Sequence, residues 1–379
     1  MRITIAIGPF LPVPPLLGGA VERSMDELSR AFASRGHEVT VISRLYGDLP
    51  EAEQADGVRH IRVKGFDRPR SLVRALVLDL IYSLRVLRVL PDADVTIANS
   101  FMLPIVIRRR RYGLVCPSVG RVPKGQLRLY RHVGLLLTNS KAIARQMAEQ
   151  TPAIKDKIAV VPRPLPAEYS ALLARGERVE TKNAILYVGR IHPEKGIGQL
   201  IEAFASLPED ARKGWRLEIV GPWEIAQGGG GEAYLSELRS KAGAVADAVE
   251  FAGPIYDKRA LFDRYAAAEI FVYPSLAEEG ETFGVAAMEA MAIGCCTIVS
   301  KLECFEDFIA DGKTGLVFDH RCTEPAGALR ECLLQAMGDE GLRTRIRTNG
   351  LRKGKEFSID RIIDRLETVF AEEIRKSTG

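Results

Sequence analysis

Arg190 and Lys195 stand on either side of Pro193 in "GRIHPEKGIGQLIEAF", at the mouth of an expected helix. A planar guanidinium fork beside a mobile ammonium suits a pair of linked phosphates, although any surface turn can carry one Arg and one Lys. Further on, "LAEEGETFGVAAMEAMA" puts Glu281 in a loop and Glu289 about one turn inside the helix that follows. Gly284 and Val285 would present backbone N–H groups at that helix start. The loop therefore offers acceptors for sugar hydroxyls beside donors for phosphate. Glu278 and Glu279 read as solvated neighbours. Near the start of the chain, "GPFLPVPPLLGGAVER" ends in Gly18 and Gly19 ahead of a helix expected from Ala20 to Arg35. Adjacent glycines there let backbone amides approach an anion, with the helix dipole adding about 0.3–1 kcal/mol. The loop is not G-x-G-x-x-G, and a plain tight turn explains it equally well.

The elements that must position these residues are legible as an alternation of short β-rich runs with helical periodicity, the pattern of parallel sheets covered by helices on both faces. A first series comprises "RITIAI", "EVTVIS", "DVTIAN", "GLVCPSV" and "LLLTNS", and ends near the proline-rich "KIAVVPRPLP". Proline continues neither a helix nor a central strand, so this segment reads as a linker. A second series runs through "AILYVG", "RLEIVG", "VEFAG", "EIFVYPS", "CTIVS" and "TGLVFD", followed by charged helices. The expected organisation is an N-terminal Rossmann-like domain over 1–165, a C-terminal one over 166–357, and a terminal helix over 358–379 that returns to the first domain. Ligands are expected where strand C-termini open into loops, with the two doubly wound domains facing across a cleft. "QGGGGE", Gln227 to Glu232, reads as a surface loop.

The chain has 379 residues, 46% of them hydrophobic, enough for a core in each of two domains. Its formal charge of +4 is too small to imply nucleic acid, and none is expected as a partner. Arginine is nevertheless dense and acid sparse from Arg59 to Arg145, which favours an anionic partner for the first half. The six cysteines include no C-x-x-C pair, so no zinc site is expected and a reduced, cytoplasmic protein is the natural reading. "MRITIAI" lacks a signal-peptide core.

"SLVRALVLDLIYSLRVLRVL", Ser71 to Leu90, is the only stretch apolar enough to raise membrane insertion. Each central charge would cost about 2.5–3.5 kcal/mol, which disfavours spanning. At ~100° per residue Arg70, Arg74, Arg85 and Arg88 fall within roughly 60° of arc. Two readings stay open: a core helix with a solvated edge, or peripheral contact with an acidic membrane at its inner face.

Glu281 and Glu289 are separated by seven residues in "ETFGVAAME", which resembles the E-x7-E motif of retaining glycosyltransferases of family 4. "GGAVERSMDELSRAFASRGHEVTVIS" is similar to that family's opening loop and helix, "YVGRIHPEKG" to its diphosphate motif, and "VEFAGPI" to the turn before its donor pocket. The resemblance implies an α/β GT-B fold and a nucleotide diphosphate sugar held by the second domain. It implies an acceptor, lipid-linked glycan or small molecule, bound mainly by the first. Arg190 and Lys195 would hold the donor diphosphate, helped by Gly18, Gly19, Thr282, Phe283, Gly284 and Val285. Glu289 would accept from ribose hydroxyls and Glu281 from the transferred sugar. No cofactor and no metal are expected, since cations and helix-end amides would neutralise the departing diphosphate. Surface polysaccharide or glycolipid assembly is the setting this suggests.

One departure from the pattern matters. Many members carry a histidine just after the strand corresponding to "GLVCPSV", whereas this chain continues from Gly120 to Gln126 without one. Arg121 or Lys124 would take over contacts to the donor or to an anionic acceptor. His37, His132 and His192 read as structural. "DAD" at Asp92 to Asp94 imitates a metal motif but precedes its strand, the wrong end for a ligand in a parallel sheet. A nucleotide-sugar epimerase or hydrolase on the same architecture, or a binding protein without catalysis, are the rival readings. A nicotinamide oxidoreductase ranks last, because strand two ends in Ser43-Arg44 with no ribose-binding acid.

Overall fold

A computed structural model describes residues 1–108, 110–123, 125–174 and 182–378. The chain divides into two compact units, one made of Met1–Pro164 with the segment from Ile359 onward, the other of Leu165–Ser358.

The first unit is built on strands β1 (Arg2–Ile7), β2 (Glu38–Leu45), β3 (Ala52–Ala55), β4 (Val58–Lys64), β5 (Val95–Asn99), β6 (Leu114–Val119), β7 (Leu136–Thr138) and β8 (Ile158–Val160). Their order across the sheet is β3-β4-β2-β1-β5-β6-β7-β8, all parallel except the β3–β4 pair. β1 is apolar at nearly every position and buried from Ile3 to Ile7, as a strand covered on both faces must be. Helix α1 (Ala20–Ser34) packs Met25, Leu28 and Phe32 onto one face, and the C-terminal helix Ile359–Thr378 adds Ile362, Ile363, Leu366 and Phe370 to the same core. Phe32 and Phe370 stack at 6.3 Å between ring centroids. Arg35 fixes that helix from the far side through Asp360, Asp364 and Glu367.

The β3–β4 hairpin was not legible beforehand. "VRHIRVK" turns Val58, His60 and Arg62 inward, so its buried face is polar at two of three positions and shows no apolar alternation. Arg62 satisfies its charge by pairing with Glu53 and donating to the Pro50 carbonyl at 2.8 Å. Part of the arginine density of this half is thus internal structure. Arg85 lies 4.8 Å from the Phe66 ring and Arg111 4.8 Å from that of Tyr112, both cation–π contacts. Asp94 accepts from the Arg2 backbone N–H and guanidinium at 2.7 and 3.0 Å, a structural tie at the N-terminal end of β5. His37 lies between the N-terminal amine at 3.1 Å and Glu367 at 2.8 Å, and His132 is 2.8 Å from the Pro104 carbonyl.

The second unit has β9 (Lys182–Val188), β10 (Arg216–Val220), β11 (Val249–Gly253), β12 (Ala268–Tyr273), β13 (Cys296–Ser300) and β14 (Leu316–Phe318). They form a parallel sheet in the order β11-β10-β9-β12-β13-β14. Strand order reverses between β9 and β12, and at such a switch point the loops leaving adjacent C-terminal ends part and open a crevice.

Candidate functional site

The two loops that leave β9 and β12 bring together residues far apart in sequence. Gly189 to Gly196 follows β9, with a short 3₁₀ turn at Pro193–Lys195 capped by His192, whose Nδ1 accepts from the Glu194 amide at 3.3 Å. Pro274 to Gly284 follows β12 and feeds the helix Val285–Ile293. The Lys195 ammonium donates to Glu281 Oε2 at 2.8 Å and lies 5.7 Å from the Tyr273 ring centroid. Both side chains are nearly buried, at 7% and 11% exposure, so the pair is largely removed from solvent screening. Burial first, and then the Glu281 carboxylate, push the Tyr273 hydroxyl well above its ordinary range. It stays protonated as a second hydrogen-bond partner of Glu281.

Arg190 is more open. Its guanidinium pairs with Glu194 at 2.9 Å and donates to the Gly228 carbonyl at 2.7 Å. Glu194 also lies 3.8 Å from Lys195, so one carboxylate links the two cations. The glycine tract is therefore not a free surface loop. Gly228 receives Arg190, and a Cβ on Gly229 would lie 2.2 Å from the Trp223 backbone. Beside Arg190, at the ends of β9, β10 and β11, Gly221, Pro222, Pro254, Ile255 and Tyr256 line a hollow of about 150 Å³.

Glu289 is buried, one turn inside its helix, and accepts from the Tyr265 hydroxyl at 3.1 Å. Gly284 begins that helix at φ +74°, where a side chain is strained. A Cβ there would meet Phe305 Cε1 at 2.3 Å, and the N-cap position, being glycine, supplies no capping side chain of its own. Phe283 is a buried core residue, its ring 5.5 Å from Phe308. Thr282 is partly exposed beside it. Glu278 is no mere solvated neighbour: it lies 2.8 Å from His320 and 2.7 Å from Arg321, and Arg321 first, then His320, hold its carboxyl below the usual range.

Gly18 and Gly19 both have positive φ and precede α1 as expected. The anion position at this helix start already has an occupant. Glu22 is buried and folds back so far that a Cβ on Gly19 would lie 2.1 Å from its Oε2. Burial raises the Glu22 carboxyl above its ordinary range; its own backbone N–H, then Arg163, Arg121 and Arg68, pull the other way. Arg163 was missed in the sequence, hidden in what read as a proline linker. It donates to the Ala20 carbonyl at 2.8 Å, and a Cβ on Gly120 would lie 3.6 Å from its Nη2. An arginine thus stands over the stretch where the histidine is lacking. Arg121 is exposed nearby, and Lys124 lies outside the described residues.

Two Rossmann-like units of this kind define a GT-B α/β protein, and comparison with solved structures agrees. Sucrose-phosphate synthase from Thermosynechococcus elongatus superposes with a TM-score of 0.76 at 18% identity, over 98% of each chain. An Anabaena protein solved with UDP and glucose gives 0.70 at 16% identity, over 98% of this chain and all of that one. The family description "Glycosyltransferase Family 4" matches residues 17–169 and "Glycosyl transferases group 1" matches residues 171–353. The chain belongs to glycosyltransferase family 4. Among curated relatives, D-inositol 3-phosphate glycosyltransferase of Acidothermus cellulolyticus is 29% identical over 67% of this chain, a match that spans 56% of that relative's length. Lipopolysaccharide 1,2-N-acetylglucosaminetransferase of Salmonella typhimurium is 26% identical over 83% of this chain and 84% of its own.

Proposed function

We propose that this protein transfers a hexose-type sugar from a nucleotide diphosphate sugar to an acceptor hydroxyl, with retention of anomeric configuration and without a metal ion, in the assembly of a surface polysaccharide or glycolipid. The observation that carries the reading is the meeting of Lys195 with Glu281 beside a helix start whose N-cap is glycine, with Glu289 one turn inside that helix. Arg190 and Lys195 take the diphosphate and exchange their carboxylate partners for phosphate oxygens. The amides of Gly284 and Val285 add fixed dipoles where charge grows on the departing oxygen. Glu281, released from Lys195, accepts from a hydroxyl of the transferred sugar, and Glu289 from the ribose. The bond from the anomeric carbon to the phosphate oxygen breaks, the acceptor oxygen bonds to that carbon on the same face, and the acceptor proton passes to a donor phosphate oxygen.

Support for the donor class comes from the Anabaena structures, solved with UDP, glucose and UDP-glucose. The relative that acts on lipopolysaccharide supports a glycan acceptor. The test is NMR of the product formed with EDTA present. An α-linked donor should yield an α-linked product at an undiminished rate. A β-linked product, loss of activity on chelation, or donor turnover that ignores every acceptor would each refute the proposal in that respect, the last in favour of a hydrolase or epimerase.

A further inference from the structure

Helix α2 (Leu72–Val89) buries Tyr82 and Val86 in the core together with polar Asp79 and Ser83, yet leaves much of its apolar surface outward. Its buried side carries Asp79, Tyr82, Ser83 and Val86. Asp79 accepts from the Ser100 hydroxyl at 2.8 Å and from the amides of Phe101 and Met102, each at 2.9 Å. The opposite side exposes Val73 at 72%, Val77 at 52%, Leu84 at 48%, Ile81 at 39% and Leu80 at 36%. At ~100° per residue these five lie within roughly 100° of arc, a continuous apolar stripe. Arg74 is exposed along one margin of it, and Arg70 and Arg88, also exposed, lie in line with it beyond its two ends. Between Arg68 and Leu90 the sole acid is Asp79, which points inward. The outer face therefore carries positive charge with no acid of its own to balance it.

We infer that this face is a docking surface for an anionic phospholipid bilayer, lying in the interface with its aliphatic stripe among the acyl chains and its arginines at the headgroup phosphates. Charge complementarity selects the occupant: a stripe bordered only by arginine gains from a negatively charged lipid surface, and two helices of this kind facing each other would oppose like charges. Among the described residues no helix is long and apolar enough to cross a membrane, so the contact is peripheral.

The test is co-sedimentation of the full chain with vesicles of phosphatidylcholine, alone or mixed with phosphatidylglycerol. Wild type should pellet with the mixed vesicles and be released by salt. Arg74→Gln with Arg88→Gln should weaken binding roughly thirtyfold, at about fivefold for each lost arginine. Val77→Glu with Leu84→Glu should abolish it. All four positions are solvent-facing, so both double variants should keep the wild-type melting temperature and its response to a nucleotide sugar, which separates this result from the fate of the proposed reaction. Binding that is absent, indifferent to phosphatidylglycerol, or unchanged in both variants would overturn the inference. So would a wild-type dimer that Val77→Glu with Leu84→Glu dissolves while vesicles capture nothing.

Discussion

The Lys195 ammonium and the Glu281 carboxylate meet at 2.8 Å across 86 positions of sequence, because the loops that carry them leave adjacent parallel strands. Each of these two nearly buried charges is compensated by the other. On the proposed reading a donor phosphate would displace Glu281 from Lys195. Lys195→Met should cost roughly 2–3 kcal/mol, since it strands a nearly buried carboxylate, while Glu281→Gln should cost less because the amide still accepts a hydrogen bond. A double-mutant cycle read by urea denaturation should return a coupling of about 1–3 kcal/mol. Additive losses would mean that the two groups do not interact in solution.

Glu22 makes a prediction about pH. Its carboxyl is raised by burial, so the folded chain binds this proton more tightly than the unfolded one does. With more protons bound in the native state, the stability contributed by this group falls as pH climbs from the ordinary carboxylate range through the raised value. An anion presented to Gly18 and Gly19 meets a negative charge above that value and a neutral group below it. Affinity for a nucleotide sugar, whose diphosphate does not titrate there, should rise as pH falls through this window. Calorimetric titration of Glu22→Gln should show tighter binding at neutral pH and a flat profile below it. A wild-type affinity independent of pH would place the phosphates away from these glycines.

Gly284 should tolerate no side chain. Its left-handed backbone costs a non-glycine residue about 1–2 kcal/mol, and the Phe305 ring is within 2.3 Å of where a Cβ would be. Gly284→Ala should therefore lose more than that strain alone, about 2 kcal/mol or more by thermal or urea unfolding. Because the residue starts the helix that bears Glu289, donor response should weaken with it. A neutral substitution would show that the helix start can shift without penalty.

Most strands of both sheets could be read from the sequence because they are apolar on both faces, although the short β8 fell inside the stretch read as a linker, and the loops of the site could be read because glycine, proline and paired charges punctuate them. What could not be read is of another kind. The β3–β4 hairpin hides a buried face made of His60 and Arg62, which local polarity assigns to solvent. Glu194 and Tyr265 became relevant only through tertiary proximity, one between two cations and one on Glu289. Arg163 sits among prolines that signal a linker, and its reach to Ala20 and over Gly120 depends on a chain path that no spacing encodes. Glu22 lies in the very helix start expected to welcome an anion, and its fold back onto Gly19, which no spacing encodes, puts its own carboxylate there.

On the proposed reading, the second unit grips an activated sugar through Lys195 and Glu289. The most direct measurement is the thermal shift produced by a panel of nucleotide diphosphate sugars on wild type, Lys195→Ala and Glu289→Ala, with unliganded melting temperatures as controls. At a hundredfold excess over Kd a bound ligand stabilises by about 2.7 kcal/mol. Wild type should shift clearly upward with at least one donor, and neither folded variant should shift. Full shifts in both variants would contradict that reading.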